Sequence, residues 1–318
     1  MFNAYCNEIP RLPKLINTDI YHKLVCKSKL DTKNISHMVT NFVDDSSNII
    51  GFKNHNIIRN YIEKYYILLT KFYNINRLKI NNDKNKMIII NKPKWDNIFK
   101  NFSFKAGKEI VKAKYKIKIL GIWIQNDLKM DSEINKLSSN LPNTINNINK
   151  ISKYTDFRSR LNFINSFVIG KMIYMLPLYN NLPLYLRNKL HKIQMKSART
   201  AIGNYCYKKS TFYILNKCKW LNINNMIKYS SLVFIHNVIY NKKPKSILGI
   251  YRTNRFLRHK AELSLQNIPK NTKYFKFFLQ EHTVTYNKIP YDIKEKSIKL
   301  FKKEIKMWIL TQPEDTMD

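Results

Sequence analysis

Cysteine is scarce and badly placed for chemistry. The chain holds 4 Cys in 318 residues, Cys6, Cys26, Cys206 and Cys218. None forms a C-x-x-C pair or lies near two histidines at ligand spacing, which argues against a zinc site or disulfide framework and for a reducing, intracellular setting. Nuclear and cytoplasmic locations stay open. No apolar run reaches the roughly 18 residues that a membrane span needs. The start, Met1-Phe2-Asn3-Ala4-Tyr5, lacks the charged opening and long apolar centre of a signal peptide. Acidic residues are the other deficit: 21 Asp+Glu stand against 57 Lys+Arg, a net charge of +36.

That imbalance points to a polyanionic partner, nucleic acid first and an anionic membrane surface second. The abundance of Asn, Lys, Ile, Tyr and Phe also fits A/T-rich codons. Codon drift inflates Lys but does not suppress Glu, whose codons are similar, so nucleic acid remains the favoured partner. Hydrophobic residues at 44% give a globular composition with enough chain for one large domain or two ordinary ones.

Phe42-Val43-Asp44-Asp45 is an apolar pair running into two neighbouring carboxylates, with Met38 and Val39 before it and Ile49, Ile50 and Gly51 after. The pattern over 34–50 predicts a β-hairpin with both acids at its tip. Two such anions about 4 Å apart repel by about 4 kcal/mol at an effective dielectric near 20. A hard divalent cation such as Mg²⁺ would relieve that repulsion. An ordinary solvated turn, where Asp is favoured for local hydrogen bonding, is the competing reading.

Periodicity at three and four predicts a helix over 54–75, and strands are expected at 87–90 and 117–124. Lys92-Pro93-Lys94 and Lys105-Ala106-Gly107-Lys108 mark connections. From about 131 the pattern turns helical. Asp131 is a candidate N-cap, and Ile134, Leu137, Leu141, Ile145, Ile148 and Ile151 line one face. Further helices are expected over 156–176, 184–203 (with Gly203-Asn204 as its stop), 209–217, 222–241 and 291–309. The fold class expected is α+β: a mixed segment at 1–126, a helical segment at 127–245 and a C-terminal extension at 246–318.

The order of these pieces resembles the palm-to-thumb half of reverse transcriptases from non-LTR (LINE-type) retrotransposons. Residues 1–10, MFNAYCNEIP, look like the family stretch L-F-x-x-Y-x-N-D-L-P. Phe42-Val43-Asp44-Asp45 looks like its aromatic-x-Asp-Asp hairpin, and residues 78–87, LKINNDKNKM, look like L-x-x-N-x-x-K-T-K-x with Asn85 in place of Thr. Ile119-Leu120-Gly121-Ile122-Trp123-Ile124 looks like the strand with the primer grip, and Tyr286-Asn287-Lys288-Ile289-Pro290 like the terminal W-N-x-L-P element.

The resemblance implies a partial polymerase palm followed by a helical thumb. It implies RNA-directed DNA polymerase chemistry with Mg²⁺, Asp44 and Asp45 as metal ligands and Lys84 beside the leaving pyrophosphate. Gly121 and Trp123 would form the primer grip. Lys189, Lys192, Lys196 and Arg199, spaced by three and four, would follow duplex phosphates as a basic stripe continued by Lys208 and Lys209. Lys84 and the stripe also read as solvated surface, and Trp123 as a core aromatic. Trp220-Leu221-Asn222-Ile223 reads as packing.

Only 43 residues precede Asp44, so on this resemblance the fingers and the first catalytic Asp are missing and no primer extension is expected from the chain alone. A decayed element, one piece of a split enzyme completed by another chain, and a protein kept for RNA or DNA binding all fit. An unrelated membrane-surface or virion protein is the remaining alternative, and failure of 35–52 to form a hairpin would favour it.

Overall fold

The computed structural model describes residues 35–42, 45–52, 55–90, 102–203, 209–242, 251–254, 262–265 and 278–312. Outside them lie the 1–10 motif, Asp44, the 92–94 connection, Asn204, Lys208, Cys6, Cys26 and Cys206. The chain is mixed α+β and divides into two compact units, Met1–Leu128 and Lys129–Asp318. Among the described residues no helix is long and apolar enough to cross a membrane.

The first unit begins with an antiparallel hairpin of β1 (Ile35–Phe42) and β2 (Asp45–Phe52), in register from Ile35 opposite Phe52 to Phe42 opposite Asp45. Strand side chains alternate between faces. One face therefore presents Ile35, Val39, Ile50 and Phe52 to α1 (His55–Ile75), whose Ile58, Tyr61, Tyr65 and Leu69 are buried at helical spacing with Phe102. Burying each such side chain contributes about 1.5–3 kcal/mol. The outer face carries Met38 and its register partner Ile49, 44% and 57% exposed.

His37 ties the hairpin to the helix. Its Nε2–H donates to Asn48 Oδ1 at 3.1 Å, leaving Nδ1 to accept from the Tyr61 hydroxyl at 3.0 Å. Burial lowers its pKa against the opposing pull of the Asn48 bond.

A second sheet has the order β3-β5-β4, with β3 (Met87–Ile88) parallel and β4 (Ser103–Ala106) antiparallel to β5 (Glu109–Lys114). The expected connection at 105–108 is narrower than its sequence suggests. Lys105 and Ala106 stay in β4, and the turn is Gly107-Lys108, with Gly107 at φ 65. The single strand expected over 117–124 is two, β6 (Lys116–Ile119) and β7 (Ile122–Gln125). Leu120 and Gly121 both take positive φ, 46 and 92, and reverse the chain in two residues. That is the twist-matched geometry of a tight hairpin.

The second unit is built on α2 (Asp131–Lys150), which buries Ile134, Leu137, Leu141, Ile145 and Ile148. Asp131 is its first residue and not its cap, and Ile151 lies past its end, 44% exposed. The helix expected over 156–176 is one continuous helical run, from Phe157 to Ile173, with a π segment inside it. Asp156 caps α3 (Phe157–Ile164), accepting from the Arg158 and Ser159 amides. A π turn (Asn165–Ile169) and a short α4 (Gly170–Ile173) follow. Asn165 Oδ1, at the start of the π turn, accepts from Trp220 Nε1 at 3.1 Å. Met175, at φ 57, ends the run.

α5 (Leu184–Ile202) buries Leu186, Leu190, Ile193, Gln194 and Ser197 and stops at Gly203 (φ 102). Its last carbonyls are held by Arg160, whose guanidinium donates to Ala201 O at 2.9 Å and Ile202 O at 3.5 Å. The same side chain donates to Ser152 O at 2.9 Å and to Thr155 O.

α6 (Thr211–Lys217) and α7 (Ile223–Asn241) carry the side-chain caps Ser210 and Asn222. α7 packs with α8 (Phe278–Asn287) and α10 (Ile298–Thr311) around Leu232, Ile235, Tyr286, Phe301 and Ile305. The helix expected over 291–309 is α9 (Tyr291–Lys294) plus α10. A small hairpin, β8 (Tyr251–Asn254) with β9 (Glu262–Leu265), completes the described elements.

Candidate nucleic-acid interface and metal site

Asp45 opens β2 and is exposed. Its ladder partner is Phe42, so Val43-Asp44 is all that joins the strands; Asp44 itself lies outside the described residues. Two neighbouring carboxylates are hard donors suited to one Mg²⁺. Two metals held roughly 3.5–4 Å apart need further acids. Among the described residues, no three His, Cys, Asp or Glu side chains come together in a way that could hold a metal.

Lys84 is exposed at the end of the 3-10 turn Asn82–Lys84. The turn is braced from α1. Tyr66 donates its hydroxyl proton to Asn82 Oδ1 at 2.6 Å, and Asn85 Nδ2 donates to the same hydroxyl at 3.1 Å. The Asn85 amide closes the turn onto Asn82 O at 2.9 Å. Asn85 occupies the position where the resembled motif has Thr, and here its side chain is a structural donor. Sequence reasoning missed Tyr66; its signal was a tyrosine on the apolar stripe of α1, a ring that buries with a polar handle needing a partner.

Gly121 sits in the β6–β7 turn, where positive φ calls for glycine. Trp123 is half-buried on β7, with the Lys116 ammonium 5.2 Å from its ring centroid. The two residues expected to form a grip are thus neighbours in one tight hairpin.

The four cations of α5 fall on one side of the helix, opposite its buried residues, but they are not equivalent. Lys192 and Lys196 are exposed. Lys189 is half-buried, donating to Asn135 Oδ1 of α2 at 2.7 Å and lying 5.9 Å from the Tyr185 ring centroid. Tyr185, one turn earlier, donates to Asp131. Arg199 is half-buried, and its Nε is a buried donor without a hydrogen-bond partner among the described residues. Burial, then the Arg199 charge, lowers the pKa of His191 on the same helix. Lys209 is exposed, 5.6 Å from the Tyr213 ring centroid; Lys208 lies outside the described residues. The stripe therefore reduces to a projecting pair, Lys192 and Lys196, flanked by Lys189, which is anchored to Asn135, and by the half-buried Arg199.

The chain matches no protein-family model, no curated protein and no solved structure.

Proposed function

We propose that this is a reverse-transcriptase-like protein that binds RNA–DNA or DNA template–primer duplexes. The first unit is read as palm-like and α5 as the thumb-like helix that meets phosphates. The observation that carries the reading is the hairpin of β1 and β2. Two eight-residue strands close at Phe42 opposite Asp45, leaving Val43-Asp44 as the connection, as an aromatic-x-Asp-Asp motif requires. The +36 charge and the projecting Lys192–Lys196 pair support a phosphate backbone as the ligand.

Asp44 and Asp45 are the residues that would hold Mg²⁺. Duplex binding without polymerisation by the chain alone is the favoured form of this reading, because two neighbouring carboxylates do not by themselves make a two-metal site. A separate chain could supply the remaining acids.

The test is duplex affinity as a function of salt, with primer extension in Mg²⁺ alongside. Binding should weaken steeply with salt, and Lys192→Ala/Lys196→Ala should flatten the log–log slope by about 1.8, at about 0.9 per lost phosphate contact. Asp44→Asn should leave duplex affinity unchanged or raise it. A salt slope near zero would overturn the binding reading. Efficient nucleotide incorporation by the purified chain would overturn the non-polymerising form.

A further inference from the structure

Arg160 gathers three separate segments at one end of the second unit. It bonds the Ser152–Tyr154 turn and Thr155 to the last carbonyls of α5. α6 packs beside the same end: Lys217 lies 5.9 Å from the Phe157 ring centroid at the start of α3, and the Cys218 thiol reaches Ala198 O of α5 at 4.0 Å. Phe212 and Tyr213 begin α6, about 8 Å of helical rise before Lys217.

This end displays large rings to solvent. Tyr154 is 77% exposed, Phe212 76% and Tyr213 44%. Rings of this size left open to solvent offer the faces on which bases stack. They are interleaved with ammonium groups: Lys153 lies 4.9 Å from the Tyr154 ring centroid and Lys209 5.6 Å from that of Tyr213. Over 150–160 and 209–219 the sequence holds 7 Lys or Arg (Lys150, Lys153, Arg158, Arg160, Lys209, Lys217, Lys219) and 1 acid, Asp156. The Asp156 carboxylate is engaged in capping α3. None of these rings belongs to the α5 stripe.

We propose that this end of the second unit is a stacking platform for single-stranded nucleic acid. Unpaired bases would lie on Tyr154, Phe212 and Tyr213, and the neighbouring lysines would meet the phosphates. A duplex offers a protein mainly backbone and base edges, because its base faces are already stacked on one another. A single strand offers faces, and base–aromatic stacking tolerates any sequence. The Arg160 bonds hold the segments in place before binding, so little ordering is left for the strand to bring about. With the reading above, this inference shares only a polyanionic partner.

The experiment is fluorescence anisotropy of the full chain with labelled oligothymidylate, an abasic strand of equal charge and a blunt duplex. Tyr154→Ala/Phe212→Ala should weaken oligothymidylate binding by about five- to hundredfold, the effect of losing one or more stacked bases. The abasic strand and the duplex should change less than about twofold. Tyr154→Trp/Phe212→Trp should retain oligothymidylate affinity. Unchanged oligothymidylate binding in the alanine variant, or equal losses on the abasic strand, would overturn the platform. So would a loss confined to phosphatidylserine vesicles, which would assign the rings to a membrane surface. Lys192→Ala/Lys196→Ala reports separately on α5. If duplex binding responds there and the rings do not matter, the platform fails and the duplex reading stands; the reverse result leaves the platform and removes the duplex reading.

Discussion

Arg160 Nε donates to the carbonyl of Ala201 at 2.9 Å, across 41 positions of sequence. Helix C-termini leave carbonyls without intrahelical partners, and here one forked side chain serves two of them together with two more in the preceding turn. Removing it strands half-buried acceptors, and hydrogen bonds to a charged group contribute about 1.5–3 kcal/mol each. Arg160→Ala should therefore destabilise the second unit by about 3 kcal/mol. Arg160→Lys should recover less than half of that, because an ammonium lacks the planar fork. Urea unfolding followed by circular dichroism checks both.

The β6–β7 turn gives a pair of opposite effects. Leu120 and Gly121 hold φ 46 and 92, and a left-handed residue with a Cβ costs about 1–2 kcal/mol. Gly121→Ala should lower stability by about that amount. Leu120→Asn, which installs the favoured Asn-Gly pair, should raise the melting temperature. If Leu120→Asn lowers it, the Leu120 side chain holds more packing than its 39% exposure suggests.

His37 and His236 make stability depend on pH in the same direction. His236 stacks on Phe301 with centroids 3.7 Å apart. Its Nε2 donates to Lys296 O at 3.2 Å, and its Nδ1 accepts from the Tyr286 hydroxyl at 3.0 Å. Burial lowers both imidazole pKa values from 6.5. A folded-state pKa below the unfolded value means that the native state binds protons less readily. The stabilisation is fully present above about pH 6.5 and is lost as pH falls from there through the lowered folded values. Thermal unfolding across that window should show a falling melting temperature. His37→Gln, which can still bond to Asn48 and Tyr61, should reduce the slope. Imidazole resonances that titrate above 6.5 in the native state would contradict the sign.

Much of the fold was legible because it follows apolar periodicity. α1, α2 and α5 bury the residues that their spacing marks, since a stripe at three and four has one way to hide. What escaped was set by polar or backbone detail. α8 was missed because its buried face includes His282 and Thr283, with His282 Nε2 bonded to Asn180 Oδ1 at 2.8 Å from 102 positions away. The π segment that begins at Asn165 comes with a bond from Trp220, and no local propensity announces that contact. The Leu120-Gly121 reversal was hidden inside an apolar run that reads as one strand. At the site, the hairpin and the stripe were legible from pattern. The bracing of Lys84 by Tyr66, and the division of the stripe into projecting and half-buried cations, depend on contacts between distant segments.

That division yields the last prediction. Lys189 and Lys192 are three residues apart on one helix, yet the first already donates to Asn135 and lies beside Tyr185, while the second projects into solvent. A cation that meets phosphate releases counterions and contributes about 0.9 to the salt slope of binding. One already engaged by its own protein must break those contacts first. Lys192→Ala should therefore lower the duplex salt slope by about 0.9 with stability changed by less than about 0.5 kcal/mol. Lys189→Ala should leave the slope nearly unaltered and destabilise the α2–α5 packing by about 1 kcal/mol. Salt titrations of duplex affinity and urea midpoints for the two variants separate these effects. Equal slopes lost at both positions would mean that the Asn135 contact yields to phosphate, and that the stripe meets phosphates with at least three cations and not two.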